Sequence, residues 1–146
     1  MAKKSGKTKR AALRKVAAPK HVIELVTITL PKLENDEKYK GLILDEHGKP
    51  VHHVILLPGE LEGAGHDDCL AWAKKQGGYL PEPAEGFLLL AQNSDGAFKK
   101  AWYWLAPKHA SHPDFAWVQN FGNGTQICSH QSSGGNRARA VRRVAI

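Results

Sequence analysis

The chain has only two cysteines, Cys69 and Cys128, among its 146 residues, and neither sits in a CxxC or comparable ligand spacing. A disulfide scaffold and a cysteine-built zinc site are therefore not indicated, and both residues read as small buried hydrophobes. No apolar run approaches the roughly 20 residues that span a bilayer. The basic start is not followed by an apolar stretch of about 7–15 residues, so no secretory signal is expected and the expected location is the cytoplasm. Nothing has the grammar of a nucleophile elbow or a Cys-His pair. The glycine-rich stretches Gly122–Gly124 and Ser132–Asn136 do not open a helix after a strand, so they read as turns rather than phosphate loops. These absences leave no motif for a cofactor and none for covalent catalysis.

The charge is present but unevenly placed. The net charge is +7, yet Met1–Lys20 holds eight bases and no acid, while the rest of the chain carries 13 bases against 14 acids. The chain thus reads as a flexible basic tail, residues 1–20, followed by one nearly neutral domain, residues 21–146. Lys3, Lys4, Lys7, Lys9, Arg10, Arg14 and Lys15 are the candidate nucleic-acid contacts, a non-specific phosphate interaction that would weaken with salt. A solubilising tail is the competing reading.

Past Pro19 the sequence alternates in grammar. Val22–Leu30 is rich in β-branched residues and reads as a first strand ended by Pro31. Gly41–Leu44 and Val51–Leu57 read as a hairpin around the Asp45–Pro50 turn. Two helices are expected next. The first is capped by Asp67, carries Cys69, Leu70, Trp72 and Ala73 on its apolar face, and stops at Gly77-Gly78. The second opens with Pro83 in its first turn. From Lys100 onward short strands return, AWYWLA, DFAWVQNF and TQICSH, and RARAVRRVAI reads as one final strand. The order β, hairpin, two helices, β meander defines an α+β domain.

Three of the four tryptophans and two of the four phenylalanines lie between Ala101 and Phe121. Alternation puts Trp102 and Trp104 on one side of a strand and Tyr103 on the other, and it groups Phe115, Trp117, Gln119 and Phe121. Most of these rings read as core, because a stacking platform would carry adjacent Arg or Lys.

The series GGYLP (Gly77–Pro81), Glu85, AWYW (Ala101–Trp104), FAW (Phe115–Trp117), FGNG (Phe121–Gly124) and RARAVRRV (Arg137–Val144) resembles the Lcl-C-terminal-like domains. An upstream ILLPG element at Ile55–Gly59 resembles the short phage and prophage versions. The resemblance runs from about Thr27 to the end, and it implies a C-type-lectin-like fold with two helices packed on small antiparallel sheets. It also implies pairing of the first strand with the last. Leu80-Pro81-Glu82 departs from the family's usual Leu-Pro-Thr, and Trp104-Leu105-Ala106 from its Trp-Ser-Ser. Glu82-Pro83-Ala84 lacks the amide of the calcium-lectin signatures, so calcium-dependent sugar binding is not implied.

What the resemblance does imply is a non-catalytic binding module in the host cytoplasm or associated with the virion. Its partner would be a protein, either a virion component or a host defence protein, the latter through inhibition of CRISPR or another defence system. Asn120, Asn123, Thr125, Gln126, Ser129, His130, Gln131 and Asn136 are the candidate protein-binding residues, since Asn, Ser and Gln on a rigid β scaffold make adaptable contacts. Solvated turns are the competing reading. Arg137, Arg139, Arg142 and Arg143 form either a basic stripe or ion pairs with Glu24 and other acids. A metal-dependent enzyme built on His109, His112 and Asp114, or on His52, His53 and His66, is the third reading. Adjacent His52 and His53 face opposite sides of a strand, and zinc needs three or four convergent ligands, so no metal site is assigned.

Overall fold

The computed structural model describes residues 27–146. The basic segment 1–20, Glu24 and residues 22–26 of the expected first strand lie outside the described residues, while Thr27–Leu30 carries no regular structure. The architecture is α+β with two helices and two sheets. A three-stranded sheet is ordered β1 (Lys38–Leu44), β2 (Pro50–Leu56) and β8 (Val141–Ala145). A five-stranded sheet is ordered β3 (Leu61–Glu62), β7 (Arg137–Ala138), β4 (Trp102–Lys108), β5 (Phe115–Asn120) and β6 (Gln126–His130). Helices α1 (His66–Lys75) and α2 (Pro83–Ala91) lie between β3 and β4 in sequence.

The β1–β2 hairpin forms where its turn chemistry places it. Asp45 Oδ1 accepts the amides of His47 and Lys49, and Gly48 takes φ +76°. That arrangement is an Asx turn, which an L-residue at Gly48 would strain. The strand begins at Lys38, earlier than expected from the polar stretch before Gly41, because Lys38 and Lys40 both find Asp95, at 2.9 and 3.0 Å.

Helix α1 starts two residues earlier than the sequence suggests. Gly65, not Asp67, is its N-cap, and it caps without a side chain. The His66 amide instead donates to the Gln131 carbonyl at 2.8 Å, so Asp67 and Asp68 are left inside the first turn, where they complement the helix dipole. In α2, Pro83 occupies the first turn, and Glu82 and Glu85 form a reciprocal capping box.

Strand β4 divides the core. Trp104 packs with Cys69 and Ala73 of α1 and with Ala116, Val118, Ala138 and Ala140. Tyr103, on the opposite face, packs with Val54 and Leu56 of β2, Leu89 of α2, Phe98 and Phe121. Phe98 and Phe121 stack at 4.1 Å and Tyr103 meets both edge-on, an arrangement aromatic quadrupoles favour.

Three expectations need correction. RARAVRRVAI is two strands, not one, because the chain crosses between sheets at Arg139–Ala140. There the Arg139 guanidinium bonds the carbonyls of Ala97 and Leu57, and the Leu57 amide reaches the Ala140 carbonyl. The larger sheet is mixed, since β7 meets β4 in parallel. In β5 the buried apolar positions are Ala116 and Val118, while Phe115 is exposed and Trp117 only half-buried. Helix α2 bonds β5 and β6 at Gln119 and Gln126, so the far end of that face lies beyond its cover.

Candidate functional site

The eight polar residues singled out in the sequence fall at the two ends of β6. Asn120, Asn123 and Thr125 build the β5–β6 turn, with Gln126 opening the strand. Asn120 Oδ1 accepts the Gly122 amide at 2.7 Å and Asn123 Oδ1 accepts the Thr125 amide at 3.0 Å. Both amide oxygens hold the turn, which closes on Gly124 at φ +82°. At the other end, Ser129, His130, Gln131 and Asn136 surround the loop that precedes β7. Asn136 is buried and donates to Ser129 Oγ, and His130 Nδ1 lies 2.7 Å from Ser132 Oγ. Gln131 ties down Pro113 with its side chain, Asp114 with its amide and His66 with its carbonyl. A five-residue strand separates the two groups by about 14 Å at 3.4 Å per residue.

Their roles differ. Gln126 points inward, with Nε2 donating to Gln119 Oε1 at 2.7 Å and to the Pro83 carbonyl at 2.9 Å. Gln119, fully buried, passes the chain on to the Gly86 carbonyl at 2.8 Å. Gln126 is therefore a clamp between α2 and the meander. Asn123, Thr125 and His130 are the members exposed to solvent.

Three of the four arginines of the last segment resolve as ion pairs. Arg142 grips Glu37 at 2.6 and 2.7 Å, and Arg137 bridges Glu60 and Glu62. Arg143 makes a bidentate pair with Glu85, at 2.8 and 2.6 Å, and stacks over Tyr79 at 5.0 Å. Glu85 is 1% exposed and also meets His52 Nε2 at 3.1 Å. Burial alone would push its carboxyl up, but Arg143, the Glu82 amide and His52 outweigh burial and hold it below its ordinary range. Arg139 pairs with carbonyls rather than carboxylates, and burial lowers its affinity for the proton.

Sequence reading missed the Glu85–Arg143–His52 group as a unit. Its members are spread over α2, β8 and β2, and the signal available was a lone glutamate three residues after a helix cap. Beside it opens a cleft of about 260 Å³ lined by Leu70, Lys74, Tyr79, Leu80, Glu82 and Arg143.

The histidines and cysteines are placed as follows. His109 Nδ1 accepts the amides of Ser111 and His112, so that lone pair organises its loop. His53 is buried against the Tyr39 hydroxyl at 3.0 Å, and His66 donates Nε2–H to the Leu105 carbonyl at 2.8 Å. Among the described residues no three His, Cys, Asp or Glu side chains converge as metal ligands would. Cys69 is fully buried, and burial together with Asp68 pushes its thiol up to about 11. No described helix is long and apolar enough to cross a membrane. No family model and no curated protein matches the chain.

Proposed function

We propose that the chain is a non-catalytic protein-binding module of the phage or prophage type, with a C-type-lectin-like arrangement presenting the surface at the ends of β6. The observation that carries this reading is the division of labour in the β5–β6 meander. Asn120, Gln126, Gln131 and Asn136 hold the scaffold in place, Asn123 braces the turn through its oxygen while remaining exposed, and Thr125 and His130 are held outward. Exposed polar side chains on a rigid support make contacts without a large ordering cost. The partner is a virion component or a host defence protein met in the host cytoplasm.

The test is affinity capture from phage-infected and uninfected lysates after nuclease treatment, using wild type and the double variant Asn123→Ala, His130→Ala. Both side chains are exposed, and the Asn123 oxygen accepts one turn amide, so the variant is expected to lose about 0.5–1.5 kcal/mol, to stay folded, and to lose the partner. A partner retained equally by both would sink the assignment of this surface.

A second reading rests on the eight unopposed bases of Met1–Lys20. All four arginines near the C-terminus are engaged within the domain, so backbone binding of nucleic acid would fall to the tail. Removing residues 1–20 would then abolish nucleic-acid binding and leave protein capture intact.

A further inference from the structure

Each sheet has two outer strands, and three of these four edges carry the features that deter strand addition. β3 is two residues long and ends in Glu62. β1 carries Lys38 and Lys40 and two register shifts. β8 carries Arg142 and Arg143. Shortness, charge and irregular register are the means by which proteins blunt exposed edges. β6, Gln-Ile-Cys-Ser-His, has no charge, no proline and an unbroken register with β5 over all five residues.

Which backbone groups it offers follows from the ladder. The Asn120 amide donates to the Thr125 carbonyl, and the Gln131 amide donates to the Asp114 carbonyl. In an antiparallel pair such residues alternate, so Ile127 and Ser129 also turn their backbone groups toward β5. Gln126, Cys128 and His130 turn theirs outward. Among the described residues the amides of all three, and the carbonyls of Gln126 and Cys128, have no partner, while the His130 carbonyl accepts the Ser133 amide. Ile127 and Phe115, on opposite faces beside this edge, are 46% and 39% exposed.

We propose that β6 pairs antiparallel with β6 of a second copy of this chain, across a two-fold axis at Cys128. The outward positions are symmetric about Cys128, so Gln126 meets the second copy's His130 and Cys128 meets its counterpart; the unpartnered groups close four hydrogen bonds, and a second lone pair on each His130 carbonyl completes the seam. The pairing also covers apolar surface, because a two-fold axis at Cys128 brings Ile127, 46% exposed in one copy, diagonally against its counterpart on the same face of the joined sheet. The strand carries no Asp, Glu, Lys or Arg that would repel its counterpart.

The pairing also changes the binding surface. Within one copy Asn123 and Thr125 are a strand length away from His130 and Gln131. Across the seam the turn of one copy lies beside the loop of the other, so the two polar groups form one composite surface, present twice per dimer. That last step rests on the protein-binding reading above, whereas the strand pairing does not.

The full-length, nuclease-treated chain is measured by size exclusion with light scattering from low to several hundred micromolar. The mass is expected to rise with concentration from 16.0 kDa toward twice that value. A short bis-maleimide is expected to join two chains through Cys128 and to fail with Cys128→Ser, since the remaining Cys69 is buried. Cys128→Pro removes only an outward amide and spares the β5 ladder, and it is expected to weaken the dimer at least tenfold with an unchanged far-ultraviolet spectrum. A mass that stays at 16.0 kDa, or a dimer that cannot be cross-linked at Cys128, overturns the proposal. Neither measurement involves a partner protein, so losing the capture experiment would leave this result standing.

Discussion

Replacing Glu85 by Gln tests whether one buried carboxylate fastens α2 to the smaller sheet. Glu85 accepts the Arg143 guanidinium through both oxygens, the Glu82 amide at 2.8 Å and His52 at 3.1 Å, at 1% exposure. The substitution keeps the shape and the capping acceptor, removes the charge, and turns the oxygen facing Arg143 Nε and His52 Nε2 into a donor. Breaking a fully buried ion pair costs about 3–5 kcal/mol. The Arg143 side chain is 25% exposed, so water recovers part of its stranded charge and the expected loss is about 2–3 kcal/mol. For a domain of this size that corresponds to a drop of roughly 8–12 °C in melting temperature.

The pH dependence carries a sign of its own. The carboxyl is held below its ordinary value of 4.5, so its stabilisation is complete above that value and is lost as pH falls through the lower folded-state value. Wild type and variant should therefore differ most near neutrality and converge on acidification below pH 4.5. Urea titrations at pH 7 and thermal melts from neutral to acidic pH give both quantities. A variant within about 0.5 kcal/mol of wild type, or a gap that does not narrow below pH 4.5, refutes a charged Glu85. A double-mutant cycle with Arg143→Met adds an internal check, because the cost of Glu85→Gln should shrink once its partner is gone.

Gly78→Ala would set a methyl against the Val141 carbonyl oxygen and 2.7 Å from Leu57 Cδ1, and should cost about 2–4 kcal/mol by urea denaturation. Gln126→Ala withdraws the donor from buried Gln119 Oε1 and should cost about 1–2 kcal/mol, so it is a stability variant rather than a clean test of recognition. In a thiol titration of the native protein at low concentration, one cysteine, Cys128, should react promptly. Cys69 should react only at the rate of unfolding, and two fast equivalents would refute its burial.

Local order was legible where short-range chemistry decides it. Asp45 and Gly48 announced the hairpin, Pro83 the start of α2, and Gly77-Gly78 the end of α1. The alternation of Trp102, Tyr103 and Trp104 was legible too, and it became the partition between two core clusters. Long-range partners were not legible. Asp67 looked like a cap because the carbonyl that replaces it comes from Gln131, far along the chain. RARAVRRVAI looked like one strand because its break at Arg139 depends on carbonyls of Ala97 and Leu57. Phe115 and Trp117 looked like core because periodicity reports which residues share a face but not how far a helix covers it.

The same distinction explains why the candidate surface could be named from sequence but not apportioned. Gln126 and His130 occupy equivalent outward-backbone positions of β6, and as residue types both suit recognition. Their surroundings separate them. Gln126 sits under the first turn of α2, where the Pro83 carbonyl and Gln119 Oε1 need a donor, and an amide supplies it. His130 lies past the end of α2 and keeps its ring in solvent, edge-on to Phe115 at 5.5 Å. One end of β6 is thereby anchored to the core and the other left available, while its outer backbone row is held straight between them. An edge fixed in this way pays little to accept another strand, which is why the proposed pairing rests on the uncharged backbone of β6 as much as on any side chain on it.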